Sequence, residues 1–327
     1  MSQLSLRGLS GQSRLRSWGL PAFACNDNKG VAFLLIIALL FACSNSKKTI
    51  EGMVYVPGGD FVMGTDDDLA YAHERPAHKV HVDGFYISQT EVTNAQYKKF
   101  VDATGYKTVA ERKPTWNELK ENLPPGTAPI PDSLLVPGSL VFYRPAAPVS
   151  LDDYSQWWKF IDGADWKHPE GPGSNLEKRW DHPVIHIAYE DALAYCKWEG
   201  SRLPTEAEWE YASHGAERKN DEGKFVANTF QGAFPVYDLH EDGFESTAPV
   251  KSYPPNQFGL YDMIGNVWEW TTDLYHDRNE PYAVKRVTKG GSFLCASDYC
   301  SNYRPSARQG SSIDSGTSNI GFRTVKD

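Results

Sequence analysis

This sequence predicts an α+β fold: one loop-rich domain of short antiparallel strands with few helices. Three observations carry that reading. The strand-like runs are four to nine residues long and are bounded by Gly, Pro or Asp. Three segments bear helix start and stop signals. The 10 Trp, 17 Tyr and 15 Phe supply a sizeable core, although long stretches show no clear period. With 27 Gly and 21 Pro scattered without a repeat, collagen-like and coiled-coil chains are excluded. A net charge of −9 leaves no basic footprint for nucleic acid. Five cysteines in 327 residues are too few for a disulfide scaffold.

The first 43 residues read as an address. Val31 to Ala42 is a run of apolar residues after Lys29 and before Cys43. Twelve helical residues reach about 18 Å, short of the roughly 30 Å hydrocarbon core, so a secretory apolar region fits better than a spanning helix. Leu40, Ala42 and Cys43 are placed as in a bacterial lipoprotein box, with Phe41 bulky for its position. The expectation is an exported protein, lipid-anchored to the cell envelope through Cys43, with residues 44–51 as a polar tether. A buried apolar segment is the alternative.

The body, residues 52–327, opens with strand signals at Met53 to Val56, Asp60 to Met63 and Lys79 to Ile87. His78 and Val80 share a strand face, so His73, His78 and His81 do not read as a ligand set. Thr93 with Gln96 forms a capping box; Tyr97, Phe100 and Val101 follow on one face, and Gly105 stops the helix. Glu190 to Glu199 puts Ala192, Tyr195 and Cys196 on one stripe and stops at Gly200. Thr205 and Glu208 make a second box, Trp209 and Ala212 face inward, and Gly215 closes. Lys107 to His182 is rich in Pro and Trp, with weak periodicity.

Candidate chemistry centres on Cys295 and Cys300, which follow Gly290-Gly291-Ser292. Four intervening residues fit neither a Cys-x-x-Cys redox pair nor a zinc knuckle. In an oxidising compartment they make a short-loop disulfide; as thiolates they are two soft ligands suited to Cu(I), with room for a third thiolate. Asn228, Asp242 with Phe244, and Asp262 to Glu269 group carboxylates, amides and loop carbonyls of the kind Ca²⁺ takes, though solvated turns explain the same spacing.

Four blocks carry a resemblance: Gly200-Ser201-Arg202-Leu203-Pro204-Thr205-Glu206-Ala207-Glu208-Trp209-Glu210-Tyr211, Gly259-Leu260-Tyr261-Asp262-Met263-Ile264-Gly265-Asn266-Val267-Trp268-Glu269-Trp270, Lys289-Gly290-Gly291-Ser292 and Asn319-Ile320-Gly321-Phe322-Arg323. From Met53 to Asp327 the chain resembles the formylglycine-generating enzymes, or sulfatase-modifying factors, whose fold is related to C-type-lectin-like domains. Non-enzymatic members share these blocks. The block Ala164 to Pro172 and the Cys295–Cys300 pair resemble the authentic enzymes more narrowly. The resemblance implies Cu(I) on Cys295 and Cys300 and O₂-dependent oxidation of a cysteine to Cα-formylglycine. The substrate would be an unfolded sulfatase polypeptide carrying Cys-x-Pro-x-Arg. Ser292, Trp268 and Tyr299 would line the catalytic centre, and Asn319 the substrate groove. One structural Ca²⁺ site would comprise Asn228, Thr229, Asp242 and Phe244. A second would comprise Asp262, Gly265, Val267 and Glu269. The chain departs from animal relatives where structural disulfides are expected: Cys196 faces Thr324, and Pro305 replaces a Cys. A non-catalytic binding or structural lipoprotein on the same fold is the competing function.

Overall fold

The computed structural model describes residues 49–68 and 70–327; the leader, Cys43 and most of the tether lie outside the described residues. No helix among the described residues is long and apolar enough to cross a membrane.

Thirteen short strands appear as sheets of two to four. β1 (Met53–Val56), β4 (Phe85–Ser88) and β13 (Val325–Lys326) form one antiparallel sheet with β4 in the middle. β2 (Gly59–Met63) and β3 (His78–Val82) form a hairpin pair. The run expected as one strand, Lys79 to Ile87, is therefore two strands with different partners. The break falls at Asp83-Gly84, where the chain turns against β1: a Cβ on Gly84 would meet the Tyr55 hydroxyl at 2.0 Å.

α1 (Asn94–Thr104) starts on the Thr93–Gln96 box, and Gly105 caps it at φ 67°. Its buried Tyr97 and Phe100 pack on Trp166, Tyr195 and Phe322. After the one-turn α2 (Trp116–Leu119), the Pro- and Trp-rich stretch holds an unexpected hairpin, β5 (Gly138–Phe142) with β6 (Trp158–Asp162). α3 (Tyr189–Glu199) begins one residue before the expected start. It buries Cys196 as a free thiol, which burial pushes up to about 12, so it is inert packing. α4 (Glu206–Ala212) starts on the Thr205–Glu208 box and ends at Ser213, with Gly215 a turn beyond the helix rather than at its end.

The second large sheet positions the site. β9 (Trp268–Tyr275) is central, between β10 (Lys285–Lys289) and β12 (Ile320–Gly321), with β11 (Gln309–Ser312) at the outer edge. β12 runs parallel to β9, pairing Ile320 with Trp268. A two-residue pair, β7 (Gly232–Ala233) with β8 (Tyr237–Asp238), completes the set.

Two buried ion pairs join the sequence blocks. Arg323 forks onto Glu269, Nε to Oε2 at 2.6 Å and Nη2 to Oε1 at 2.7 Å, while Trp209 Nε1–H donates to Oε2 at 2.8 Å. Lys289, with no exposed side chain, donates to Glu210 at 2.7 Å. Such pairs fix one arrangement more than they add stability, because desolvation offsets their attraction.

Candidate active site

Gly290 and Gly291, at φ 93° and 73°, end β10 in a turn that delivers Ser292 inward. A Cβ on Gly291 would sit 3.0 Å from the backbone of Asn302 and Tyr303, so the close approach of the returning loop requires glycine. That loop bends back on itself: Cys295 N–H donates to Ser292 O at 2.9 Å and Cys300 N–H to Ala296 O at 2.8 Å. The two sulfurs come to 3.3 Å, and both cysteines are free thiols.

Their environments differ. Cys295 is fully buried, and burial pushes its thiol well up, with Cys300 adding to the shift. Cys300 is partly exposed and held low, mainly by its hydrogen bond with Cys295 and secondarily by the backbone and side chain of Asn302 and the nearby Arg304 charge. Of the two, Cys300 is therefore the more readily ionised. Ser292 N–H also points at Cys295 Sγ, at 3.4 Å. Two soft sulfurs with no imidazole beside them suit a soft monovalent ion such as Cu(I).

The pair opens on a cleft of about 600 Å³. One wall is aromatic. Tyr299 stacks on Phe234 at 4.5 Å and stands edge-on to Trp157 at 5.7 Å. The short polar side chains Ser311, Ser312, Ser315 and Thr317 line the same cleft. At the floor, Asn319 Nδ2–H donates to Ser292 Oγ at 3.0 Å, and Thr317 Oγ1–H donates to Asn319 Oδ1 at 2.6 Å. Trp268 N–H donates to Asn319 O at 2.8 Å, so the parallel β9–β12 pairing ties the wall to the floor.

All six expected site residues, Cys295, Cys300, Ser292, Trp268, Tyr299 and Asn319, thus line one cleft. The block Ala164 to Pro172 does not: Trp166 is a core residue under α1. Trp157 and Phe234, which hold Tyr299, carried no functional signal in the sequence beyond the aromatic richness of their surroundings.

The first oxygen-ligand set converges. The Gln231 amide donates to both Thr229 O and Asp242 Oδ2, and His240 Nδ1 lies 3.2 Å from Phe244 O. Asn228 is buried beside them, its Nδ2–H donating to Ser246 O and Asn266 Oδ1. Burial raises the Asp242 carboxyl, which favours a compensating cation. These are acceptors of the kind a hard cation takes, but the Asp242 carboxylate already accepts from Thr229 N–H at 2.8 Å and Phe244 N–H at 3.0 Å, donors that an ion would share it with. The second set is engaged too: the Glu269 carboxylate is taken by Arg323 and Trp209, and Asp262 Oδ2 accepts from Lys251 N at 2.8 Å. Among the described residues, no three His, Cys, Asp or Glu side chains form a metal-holding group.

Comparison with known proteins agrees with this geometry. Residues 41–327 match the family described as the sulfatase-modifying factor enzyme 1-like domain. A relative named formylglycine-generating enzyme, from Mycobacterium tuberculosis, is 44% identical over 84% of this chain and 97% of its own. A Bos taurus relative named inactive C-alpha-formylglycine-generating enzyme 2 is 38% identical over 83% of this chain and 86% of its own. The solved structure of PvdO from Pseudomonas aeruginosa shares the fold, with a TM-score of 0.53 at 23% identity over 84% of this chain and 94% of that one. With family-specific sequence over its whole described body and the same mixed, loop-rich architecture, the chain belongs to the sulfatase-modifying factor enzyme family.

Proposed function

We propose that this protein is a formylglycine-generating oxidase, which converts a cysteine of an unfolded sulfatase polypeptide to Cα-formylglycine at a Cys-x-Pro-x-Arg motif. The observation that carries this reading is the pair of free thiols 3.3 Å apart at the floor of an extended cleft. A binding module on the same fold has no use for two unpaired, unequal thiols in that position.

Cu(I) held by Cys295 and Cys300 would supply affinity for a third, substrate thiolate and redox contact with O₂. The chain's own residues set the stage. In the metal-free pair Cys300 is the more readily ionised thiol, and Cys295, raised by burial, would give up its proton on binding the metal. Trp157, Phe234 and Tyr299 exclude water from one side, while Asn319 fixes the Ser292 hydroxyl at the floor. The short polar side chains of the cleft offer hydroxyls to an extended main chain, which a folded partner could not insert. The redox balance needs a thiol co-reductant: the substrate carbon gives up two electrons and loses its sulfur as H₂S, O₂ takes four electrons and ends as the aldehyde oxygen and water, and two further thiols supply the other two electrons as they join in a disulfide.

Structural Ca²⁺ at Asn228, Thr229, Asp242 and Phe244 is part of the same proposal, as is a second ion at Asp262, Gly265, Val267 and Glu269. Export and lipid anchoring through Cys43 rest on the apolar run ahead of that cysteine. Mass spectrometry of the membrane-extracted N-terminus tests the anchor.

The deciding experiment uses the body from Ser44, reconstituted with Cu(I) under a thiol reductant, with air and the peptide Leu-Cys-Thr-Pro-Ser-Arg. The expected result is the mass fall for CH₂–SH becoming CHO, dependent on copper and O₂, and lost in Cys295→Ser and Cys300→Ser. Unchanged peptide with copper demonstrably bound overturns the reading in favour of a binding lipoprotein.

A further inference from the structure

Beside the cleft lies a second hollow of about 280 Å³; Gln309 and Gly310 of β11 line both. Its outer wall is aromatic: the Tyr71 ring stacks on His73 at 5.6 Å, and His73 stands edge-on to Tyr275 at 6.0 Å. Tyr71 keeps 41% of its surface exposed at the mouth. The inner wall holds two buried polar atoms without a partner, Asn302 Oδ1 and Arg308 Nε. One accepts and one donates, the complement of a peptide amide, and leaving such groups unpaired is costly unless something arrives to meet them.

The segment that carries Tyr71 is pinned to the loop that carries Cys300. Glu74, whose side chain is fully buried, accepts both arms of Arg304 at 2.6 and 2.9 Å, the Ser306 hydroxyl at 2.9 Å and Tyr71 N–H at 3.0 Å. Arg304 Nε–H then donates to Ser301 O at 3.1 Å, one residue past the second thiol. Tyr71 and the cysteine pair are thus held in fixed relation by a buried, fully satisfied carboxylate.

We infer that this hollow is a subsite of the cleft, seating the substrate polypeptide beyond its reactive cysteine, with an apolar side chain on Tyr71 and a main-chain amide toward Asn302 and Arg308. Glu74 and Arg304 are its positioning pair. The occupant's identity rests on the proposed function; the shared boundary at Gln309 and Gly310 and the unpaired donor and acceptor favour a chain passing from the cleft over β11 into the hollow.

Peptide binding tests this without turnover. Fluorescent peptides carry Ser at the reactive position: a short Leu-Ser-Thr-Pro-Ser-Arg, and versions extended by four residues with one Trp on either side. One extension is expected to tighten binding roughly five- to ten-fold, the range of an aromatic contact. Tyr71→Ala should remove that gain and leave the short peptide unchanged; Glu74→Gln, nearly isosteric, should reduce it. The subsite is overturned if the short peptide binds but neither extension helps, or if Tyr71→Ala weakens short and extended peptides alike. Failure of every peptide to bind overturns the functional reading together with the subsite.

Discussion

Removing Arg323 should be among the most damaging single changes to this protein, and the reason can be worked through contact by contact. The side chain is fully buried and forks onto Glu269; its Nη1 reaches Ser88 O at 3.3 Å and its Nη2 reaches Tyr261 O at 3.0 Å. Glu91 and Asp262 lie close enough to feel the same guanidinium, and burial raises both carboxyls. Arg323→Met therefore leaves Glu269 buried without its cation, a loss of about 3–5 kcal/mol, and orphans backbone carbonyls in addition. Urea unfolding followed by tryptophan fluorescence at pH 7.5 measures the loss. The partner change isolates its cause: Glu269→Gln with Arg323→Met removes the unpaired charge and should recover most of it. The deficit of the single variant should also shrink toward pH 5. Carboxyls with raised folded-state values bind more protons folded than unfolded, so their stability contribution is present at low pH and lost as pH rises. With both variants measured in excess chelator, so that no cation stands by Glu269, a double variant no more stable than Arg323→Met would refute the argument.

Three further outcomes follow from the geometry. His186 is buried, with ring nitrogens 2.8 Å from Ser139 Oγ and 2.9 Å from Pro169 O, and burial pushes it down to about 4. The unfolded chain, near 6.5, binds the extra proton between those values, so stability present above pH 6.5 is lost as pH falls toward 4, by about 3 kcal/mol; His186→Asn, tolerant of φ 60°, should flatten that slope in thermal melts. Asn319→Ala frees the Ser292 hydroxyl and should lower kcat roughly ten- to hundred-fold while the circular dichroism spectrum is retained; an unchanged kcat removes Ser292 from the mechanism. Millimolar Ca²⁺ should raise the melting temperature of the chelator-treated protein, a stabilisation of about 2.7 kcal/mol per site at a hundred times Kd, and Asp242→Asn should remove the first site's share of that response.

The parts of the fold legible in the sequence are those whose cause is local. The Thr93–Gln96 and Thr205–Glu208 boxes each link residues three positions apart, and both helices start where the boxes place them. The end of α4 was less legible, because Gly215 stops a turn that the helix has already left. The break at Asp83-Gly84 was not legible at all. Its cause is the pairing of β4 with β1 and with β13, which begins at residue 325, and periodicity within Lys79 to Ile87 carries nothing about partners so distant. The β5–β6 hairpin was hidden likewise, its exposed Phe160 and Tyr143 blurring the alternation that marks a half-buried strand.

The site divides along the same line, and the division bears on the chemistry. That two thiols would meet was legible, since Cys295 and Cys300 lie five residues apart behind a glycine turn and the resemblance singled them out. That they would be unequal was not. Cys295 is raised because it is buried in the core with Trp268 and Trp270. Cys300 is lowered by the bond from Cys295 and, further down the order, by Arg304, whose own place is fixed by Glu74, 230 residues earlier in the chain. The long-range contacts that sequence reading misses therefore decide which of the two thiols ionises more readily, and the spacing of the pair does not.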